Sequence, residues 1–243
     1  MTIGEAITYI ALIAAGGGLI LHSLGLFYKI RVIKNSDEIA ISEAANRSDL
    51  VQINGRARKY DDTLNSPIEN QECISYQYDI SKNTSESANP ENNYNWKTLE
   101  EEKEVVDFVL EDRSGTAYIH TDRAEISLTN DARYTMSDSS AIPTTVASDT
   151  ISFNPTTFDF DGKLRFREGT IRSGEWIFVI AKFGSRDTEE GTDIGTIPDG
   201  KMYISDKDTK EEISSLQKPA ITEFIFGSVF LLFVVAYTVL ELL

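Results

Sequence analysis

Cysteine is almost absent from this sequence, with Cys73 as the single cysteine in 243 residues. One cysteine forms no internal disulfide and falls short of the roughly four Cys or His ligands of a zinc finger. The sequence also contains no Gly-x-x-x-x-Gly-Lys-Ser/Thr motif and no Gly-x-Ser-x-Gly motif. Those motifs bind nucleotide phosphates and present a nucleophilic serine, so their absence leaves no signature of either chemistry.

Positive charge is scarce relative to negative charge. The chain has 23 Lys and Arg against 39 Asp and Glu, a formal net charge of −16. This balance excludes a nucleic-acid binder, which needs a basic face, and disfavours a domain lying flat on anionic lipid. We interpret the acidity as adaptation to high salt, with an acidic ligand-binding face as the alternative.

Charge is missing from two long apolar stretches near the ends of the chain, residues 6–28 and 224–240. At about 1.5 Å per residue in a helix, the first stretch crosses a bilayer core of about 30 Å, and the second, which contains no charge, is interpreted as a second span. The first lacks the basic segment that begins a signal peptide, so we expect it to be retained. Pro219 predicts the start of the second helix.

The two stretches predict the domain organisation. We expect a tail over 1–5, a transmembrane helix over 6–28, a connector over 29–49, a β domain over 50–206, a connector over 207–222 and a transmembrane helix over 223–243. All the basic residues lie between Lys29 and Lys218, so the positive-inside rule predicts a cytoplasmic domain and outer termini.

Small residues form one face of the first helix, at Ala11, Ala15 and Gly18 together with Gly16 and Gly17. This face would let another helix approach closely and indicates a homo-oligomer; the alternative is that glycines are simply common in membrane helices.

The central β domain is organised around a hairpin. Phe108 and Leu110 alternate with Val109 and Glu111, and Ala117 and Ile119 alternate with Tyr118 and His120. This period-two pattern predicts two strands around a turn over 112–115, in which Gly115 would take a positive φ.

Further strands are predicted on both sides of the hairpin. Alternation or apolar runs predict strands over 50–58, 72–80, 163–168, 175–182 and 201–205. Residues 81–95 and 187–199 are interpreted as loops, 130–161 as a long excursion with one or two edge strands, and 99–103 as a charged turn. The fold class is therefore mainly β, a small barrel or sandwich of OB-like type, between two transmembrane helices.

Two sets of residues have reactive side chains. Cys73 and His120 would form a nucleophile–base pair if they met, although a buried cysteine and an exposed histidine are the simpler interpretation. Asp107, Glu111, Asp112 and Asp122 would bind a cation or act in acid–base chemistry, but such clusters also arise from acidic composition. We assign no catalytic residue, no cofactor and no metal site.

An ordered set of residues resembles the GIDE domain, the loop between the two membrane helices of the membrane-anchored ubiquitin ligases of mitochondria and chloroplasts. The set comprises Gly55, Leu64, Ser66, Pro67, Cys73, Tyr76, Trp96, Phe108, Leu110, Asp112, Gly115, Glu168 and Gly174. The resemblance runs from about Leu50 to Phe183. Stand-alone relatives occur in bacteria and archaea, and with the acidity this indicates a haloarchaeal member.

The sequence departs from the ligases in the part that catalyses. Their second helix is followed by a RING domain, whereas this chain is expected to end at Leu243 and has no cysteine cluster. The resemblance therefore implies a non-catalytic membrane protein whose β domain binds a protein partner or senses the state of the membrane. The alternatives are a ligase-like role with a RING partner supplied in trans, and a thiol- or metal-dependent hydrolase. The mitochondrial domain faces the intermembrane space, which conflicts with the cytoplasmic side predicted from the charges.

Overall fold

The computed structural model describes residues 3–84, 95–136, 163–188, 191–197 and 201–242. The chain divides into two compact units. One comprises Met1–Ser36 and Asp208–Leu243, and the other Asp37–Lys207. The predicted loops over 81–95 and 130–161 fall largely on 85–94 and 137–162, which lie outside the described residues.

The first unit is a pair of helices, α1 (Ile3–Asn35) and α3 (Thr209–Leu242). Each contains a stretch long and apolar enough to cross a membrane, Thr8–Asn35 and Thr209–Thr238. The helices approach closely at two glycines: a Cβ added to Gly227 would lie 2.9 Å from the carbonyl oxygen of Gly16. Small residues at such a crossing allow the dense packing that holds helices together in lipid.

The start of α3 differs from the prediction. Pro219 lies inside the helix rather than at its first turn. The helix instead begins after Asp208, whose Oδ1 accepts a hydrogen bond of 2.8 Å from the backbone N–H of Glu211. This is the ordinary N-cap arrangement, and the proline costs the helix one backbone hydrogen bond further on.

The second unit is built of strands with one short helix. In chain order, the elements are β1 (Asp37–Glu38), α2 (Ile41–Ala44), β2 (Val51–Lys59), β3 (Leu64–Asn65), β4 (Glu72–Cys73), β5 (Ser75–Asn83), β6 (Trp96–Val105), β7 (Phe108–Glu111), β8 (Thr116–Ile119), β9 (Ala124–Ser127), β10 (Ala132–Met136), β11 (Leu164–Ile171), β12 (Trp176–Ala181), β13 (Phe183–Thr188), β14 (Gly191–Thr196) and β15 (Met202–Ser205).

The larger sheet has the strand order β13-β14-β8-β7-β2-β12-β15-β9, with β1 added beside β2. Its end strands, β13 and β9, do not pair with each other within the described residues, so the sheet is open there rather than closed into a barrel. The mainly β class is confirmed. The predicted hairpin is present as β7 and β8, and its apolar residues Phe108, Leu110, Ala117 and Ile119 are all buried in the main core.

The smaller sheet has the order β10-β11-β5-β6, and β3 and β4 form a separate two-stranded pair. One face of the smaller sheet buries Tyr76, Tyr78 and Phe166 against Ile68 and Cys73.

Three local predictions were wrong. Residues 99–103 belong to β6 rather than to a turn, and most of 187–199 forms parts of β13 and β14 rather than a loop. Gly115 does not have the positive φ expected of it; among the described glycines that conformation occurs at Gly174, with φ 100°.

Candidate functional site: a groove beside His120

His120 follows β8 directly and is held between two carboxylates. Its Nδ1 lies 2.8 Å from Oδ2 of Asp107, and its Nε2 lies 3.1 Å from Oδ2 of Asp122. Asp107 occupies the short link between β6 and β7 and also accepts hydrogen bonds from the Tyr118 hydroxyl and from the backbone N–H of Thr121. The imidazole is therefore fixed in place by partners on both ring nitrogens.

The electrostatics of this cluster favour a charged pair. The hydrogen bond with Asp107 raises the pKa of His120 above its ordinary 6.5. Burial opposes ionisation of Asp107, but hydrogen bonds from Tyr118, His120 and Thr121 outweigh burial and lower its pKa to about 2. Both ring nitrogens of His120 therefore contact a carboxylate, which favours the protonated form of the imidazole.

A groove of about 440 Å³ opens beside this cluster. It is lined by Tyr118, His120, Gly184, Gly195, Thr196 and Ile197 among others. Gly184 and Gly195 are cross-strand partners in β13 and β14, and Gly195 is also the neighbour of Tyr118 in β8. Cross-strand partners point to the same face of a sheet, so the two glycines leave a floor without side chains next to two rings.

The walls of the groove are aromatic and apolar. The rings of Tyr118 and His120 are nearly parallel, at 14°, with centroids 6.4 Å apart. Tyr60 packs edge-on against Tyr118, and Ile197 is 47% exposed. Thr196 joins the groove to the cluster, because its hydroxyl accepts a hydrogen bond of 2.9 Å from the backbone N–H of His120.

Cys73 lies away from this cluster. It is 1% exposed and packs in the core of the smaller sheet, and its thiol is not among the partners of His120 in the described chain. Burial, with the nearby charge of Glu168, raises the pKa of Cys73 to about 12. A thiol of that pKa is protonated at neutral pH and unreactive, which agrees with the simpler interpretation of Cys73 as a buried cysteine and gives no support to the alternative Cys73–His120 pair.

The four carboxylates of the predicted acidic cluster have separate roles. Asp107 and Asp122 hold His120, whereas Glu111 pairs with Arg58 at 2.8 Å. Asp112 accepts hydrogen bonds from Ser114 and Gly115 in the hairpin turn and from the backbone N–H of Ile41. In the part of the chain that the structure describes, no three or more His, Cys, Asp or Glu side chains are arranged so that they could hold a metal ion.

Several of the residues on which the resemblance to the GIDE domain rests lie in the larger sheet. Phe108 and Leu110 are fully buried in the main core, and Gly55 sits where an added Cβ would lie 2.7 Å from the carbonyl oxygen of Glu111. Asp112 and Gly115 form the hairpin turn, and Gly174 forms the turn between β11 and β12.

The others lie around the smaller sheet. Leu64 pairs with Cys73, Ser66 and Pro67 are buried in the loop that follows β3, and the Tyr76 hydroxyl donates to Glu104. Glu168 lies inside β11 and is 1% exposed. Its carboxylate accepts from the backbone N–H groups of Ile68 and Glu69. Trp96 begins β6 and stacks on Arg165.

The groove beside His120 was not predicted from the sequence. The alternation of the hairpin places Tyr118 and His120 on one face, which was the available signal. The contributions of Gly184, Gly195 and Ile197 depend on the pairing of β13 with β14 and of β14 with β8, which is not encoded by local periodicity.

The fold and the site together define an open β domain with a groove at one edge, in a chain carrying two helices of membrane-spanning length. The family model for GIDE, described as an E3 ubiquitin ligase, matches residues 77–240, and the chain belongs to this family. No curated protein and no solved structure matches the chain.

Proposed function

We propose that the β unit is a non-catalytic recognition module, anchored to a membrane by α1 and α3, that binds a protein partner in the groove beside His120. The observation that carries this proposal is the groove itself: an exposed isoleucine and two aromatic rings around a glycine floor. The ring nitrogens of His120 both contact carboxylates, which favours binding over proton transfer.

The position of the groove at an edge of the sheet supports a peptide ligand. β13 is an end strand, and its outer edge is unpaired within the described residues. An extended segment that adds to such an edge gains backbone hydrogen bonds, while a neighbouring pocket selects its side chains. We expect the partner segment to place an apolar side chain over the floor formed by Gly184 and Gly195.

Photo-crosslinking in native membranes tests this proposal. A photoreactive residue at Ile197 should yield a discrete crosslinked protein, and the same residue at Trp176, which is 55% exposed on β12, should not. Gly184→Trp fills the groove and should abolish the product. Equal crosslinking at both positions, or recovery of lipid and the chain itself only, would refute the proposal.

We further propose that the β unit faces the cytoplasm, on the basis of Lys29, Arg31, Lys34 and Lys218. Engineered cysteines at Ser173 and Thr2 should then react with membrane-impermeant reagents from opposite sides. The wild-type chain is the control, because Cys73 is buried and should not react from either side. Labelling of Ser173→Cys from outside would reverse the orientation.

A second candidate function follows from membership of a family described as E3 ubiquitin ligases. In this role the β unit would bind the substrate, and a RING-containing chain would recruit the conjugating enzyme. Affinity purification from native membranes should then recover a partner with stoichiometric zinc. A purified, functional assembly without zinc would remove this candidate.

A further inference from the structure

The smaller sheet has a polar face that carries an unusual concentration of arginine for such an acidic chain. Register places Arg133 opposite Arg167, and Arg167 opposite Asp79, across β10, β11 and β5. Arg165 lies two residues from Arg167 on β11 and therefore points to the same face. Register places the acidic residues Asp79 and Glu101 on this face.

The three guanidinium groups differ in their partners. Nε of Arg167 lies 2.6 Å from Oδ2 of Asp79, which neutralises it. The structure shows no ion pair for Arg133 or Arg165 among the described residues, and Nε of Arg165 is buried without a hydrogen-bond acceptor. A buried charged donor without an acceptor is rare in native proteins and calls for a ligand, an ion or a water.

Trp96 covers the guanidinium of Arg165. The centre of that group lies 4.4 Å from the centroid of the indole ring. The chain contains a second arginine–tryptophan stack for comparison, Arg56 on Trp176 at 5.4 Å. There, Nη1 of Arg56 donates to the carbonyl oxygen of Gly174, so stacking on tryptophan does not itself leave a guanidinium without an acceptor.

Arg133 and Arg165 are close enough to share one ligand. They lie diagonally on neighbouring antiparallel strands, since Arg165 is opposite Thr135. Diagonal neighbours have Cβ atoms about 7–8 Å apart, which two long side chains easily span. The mutual repulsion is visible in Arg165, whose pKa is lowered by burial and by the charges of Arg167 and Arg133.

We propose that Arg133 and Arg165 form a binding site for a phosphate-class oxyanion, with Trp96 as its movable wall. Two guanidiniums that have no ion pair within the described ranges match a dianion better than a single carboxylate, and the planar edge of Arg165 gives a bidentate contact. The anion supplies the missing acceptor for Nε, and it displaces the indole ring to reach it. This site is on the smaller sheet, and it does not depend on the groove or on its partner.

Tryptophan fluorescence of the full-length protein in detergent provides the test. The chain has two tryptophans, so Trp176→Phe makes Trp96 the only reporter. Titration with inorganic phosphate, at an ionic strength held constant with KCl, should give a saturable change in emission. Arg165→Lys keeps the charge but loses the planar edge and should weaken binding at least tenfold. Arg56→Lys, the same change at an arginine of the larger sheet outside the proposed site, should leave the curve unchanged.

The outcomes separate the proposal from its competitors. Arg133→Gln alters an exposed side chain, so it should fold normally, as checked by circular dichroism, and weaken phosphate binding as well. The proposal is overturned if phosphate does not change the Trp96 emission of the Trp176→Phe protein. It is also overturned if the Arg133 and Arg165 variants both bind phosphate as that protein does. Binding of poly-glutamate that phosphate does not displace also overturns it, in favour of an acidic protein ligand.

The source of the phosphate is resolved by a parallel series in lipid nanodiscs. If the headgroup is the ligand, phosphatidylglycerol discs should change Trp96 emission without added phosphate, and phosphatidylcholine discs should not. If a free phosphate compound is the ligand, glycerol 3-phosphate should titrate equally in both discs. Either pattern supports the site, and the absence of both rejects it. Crosslinking at Ile197 is unaffected by any of these results.

Discussion

Gly169 in β11 occupies a position with no room for a side chain. A Cβ there would collide with the carbonyl oxygen of Thr129 and lie 3.0 Å from the Cβ of Leu128. Gly169→Ala should therefore lower the free energy of unfolding by about 3 kcal/mol or more, the upper range for overpacking. Gly115→Ala is the control, because the nearest atom to its Cβ is 3.9 Å away and its φ is ordinary. Denaturant titration of both variants measures the difference, and equal stabilities would contradict the packing around β11.

His120 makes the stability of the β unit depend on pH. Its pKa in the folded protein is raised above 6.5, so the ion pair with Asp107 contributes fully below about pH 6.5 and is lost as pH rises through the folded value. We expect wild type to exceed His120→Asn in stability most at pH 6, with a difference that shrinks towards pH 9. The difference is measured by denaturant unfolding at each pH. A difference that is independent of pH would contradict the pair.

At the scale of elements, α1 and α3 approach closely where Gly16 faces Gly227. Gly227→Leu should separate the helices, because its Cβ would meet the carbonyl oxygen of Gly16 at 2.9 Å. Gly25→Leu is the matched control, since no atom lies within 4 Å of that position. The thermal midpoint of the full chain in detergent should fall for the first variant only. A fall of equal size in both variants would show that the crossing is not specific.

The predicted oligomer concerns another face of α1. A Cβ added to Gly18 would have no atom within 4 Å in the single chain, so a second copy has space to pack there. Gly18→Leu should leave the chain folded and, if the face is used, reduce the mass measured by sedimentation in detergent. A monomeric wild type would end this prediction.

The elements differ in how far the sequence predicted them. The hairpin of β7 and β8 was predictable because Phe108, Leu110 and Ile119 alternate with polar residues and face a core. Strand β6 was not predictable, because its Glu-rich sequence has low strand propensity. It is an edge strand, and edge strands commonly carry charged side chains instead of an alternating apolar pattern. The groove was not predictable either, since Gly184 meets Tyr118 only through the pairing of β13 with β14 and the long-range parallel pairing of β14 with β8.

At the scale of the whole molecule, the acidity itself is a testable property. With a net charge of −16, the folded chain repels itself at low ionic strength. The distance over which charges act falls from about 10 Å at 0.1 M salt to about 3 Å at 1 M. The thermal midpoint should therefore rise as KCl increases from 0.1 to 2 M. A midpoint that is flat or falls would exclude salt adaptation and favour the alternative of an acidic ligand-binding surface.

The pairing of β2 has a consequence for the timing of folding. This strand lies between β7 and β12, so Arg56 has neighbours at Glu111 and Trp176. β12 in turn pairs with β15, which ends at Ser205. During synthesis, the pairing of the central strands is therefore completed only when β15 leaves the ribosome, long after α1 has been made. A nascent chain halted before Met202 would expose the apolar flank of β12, which makes it a natural target for chaperones and proteases.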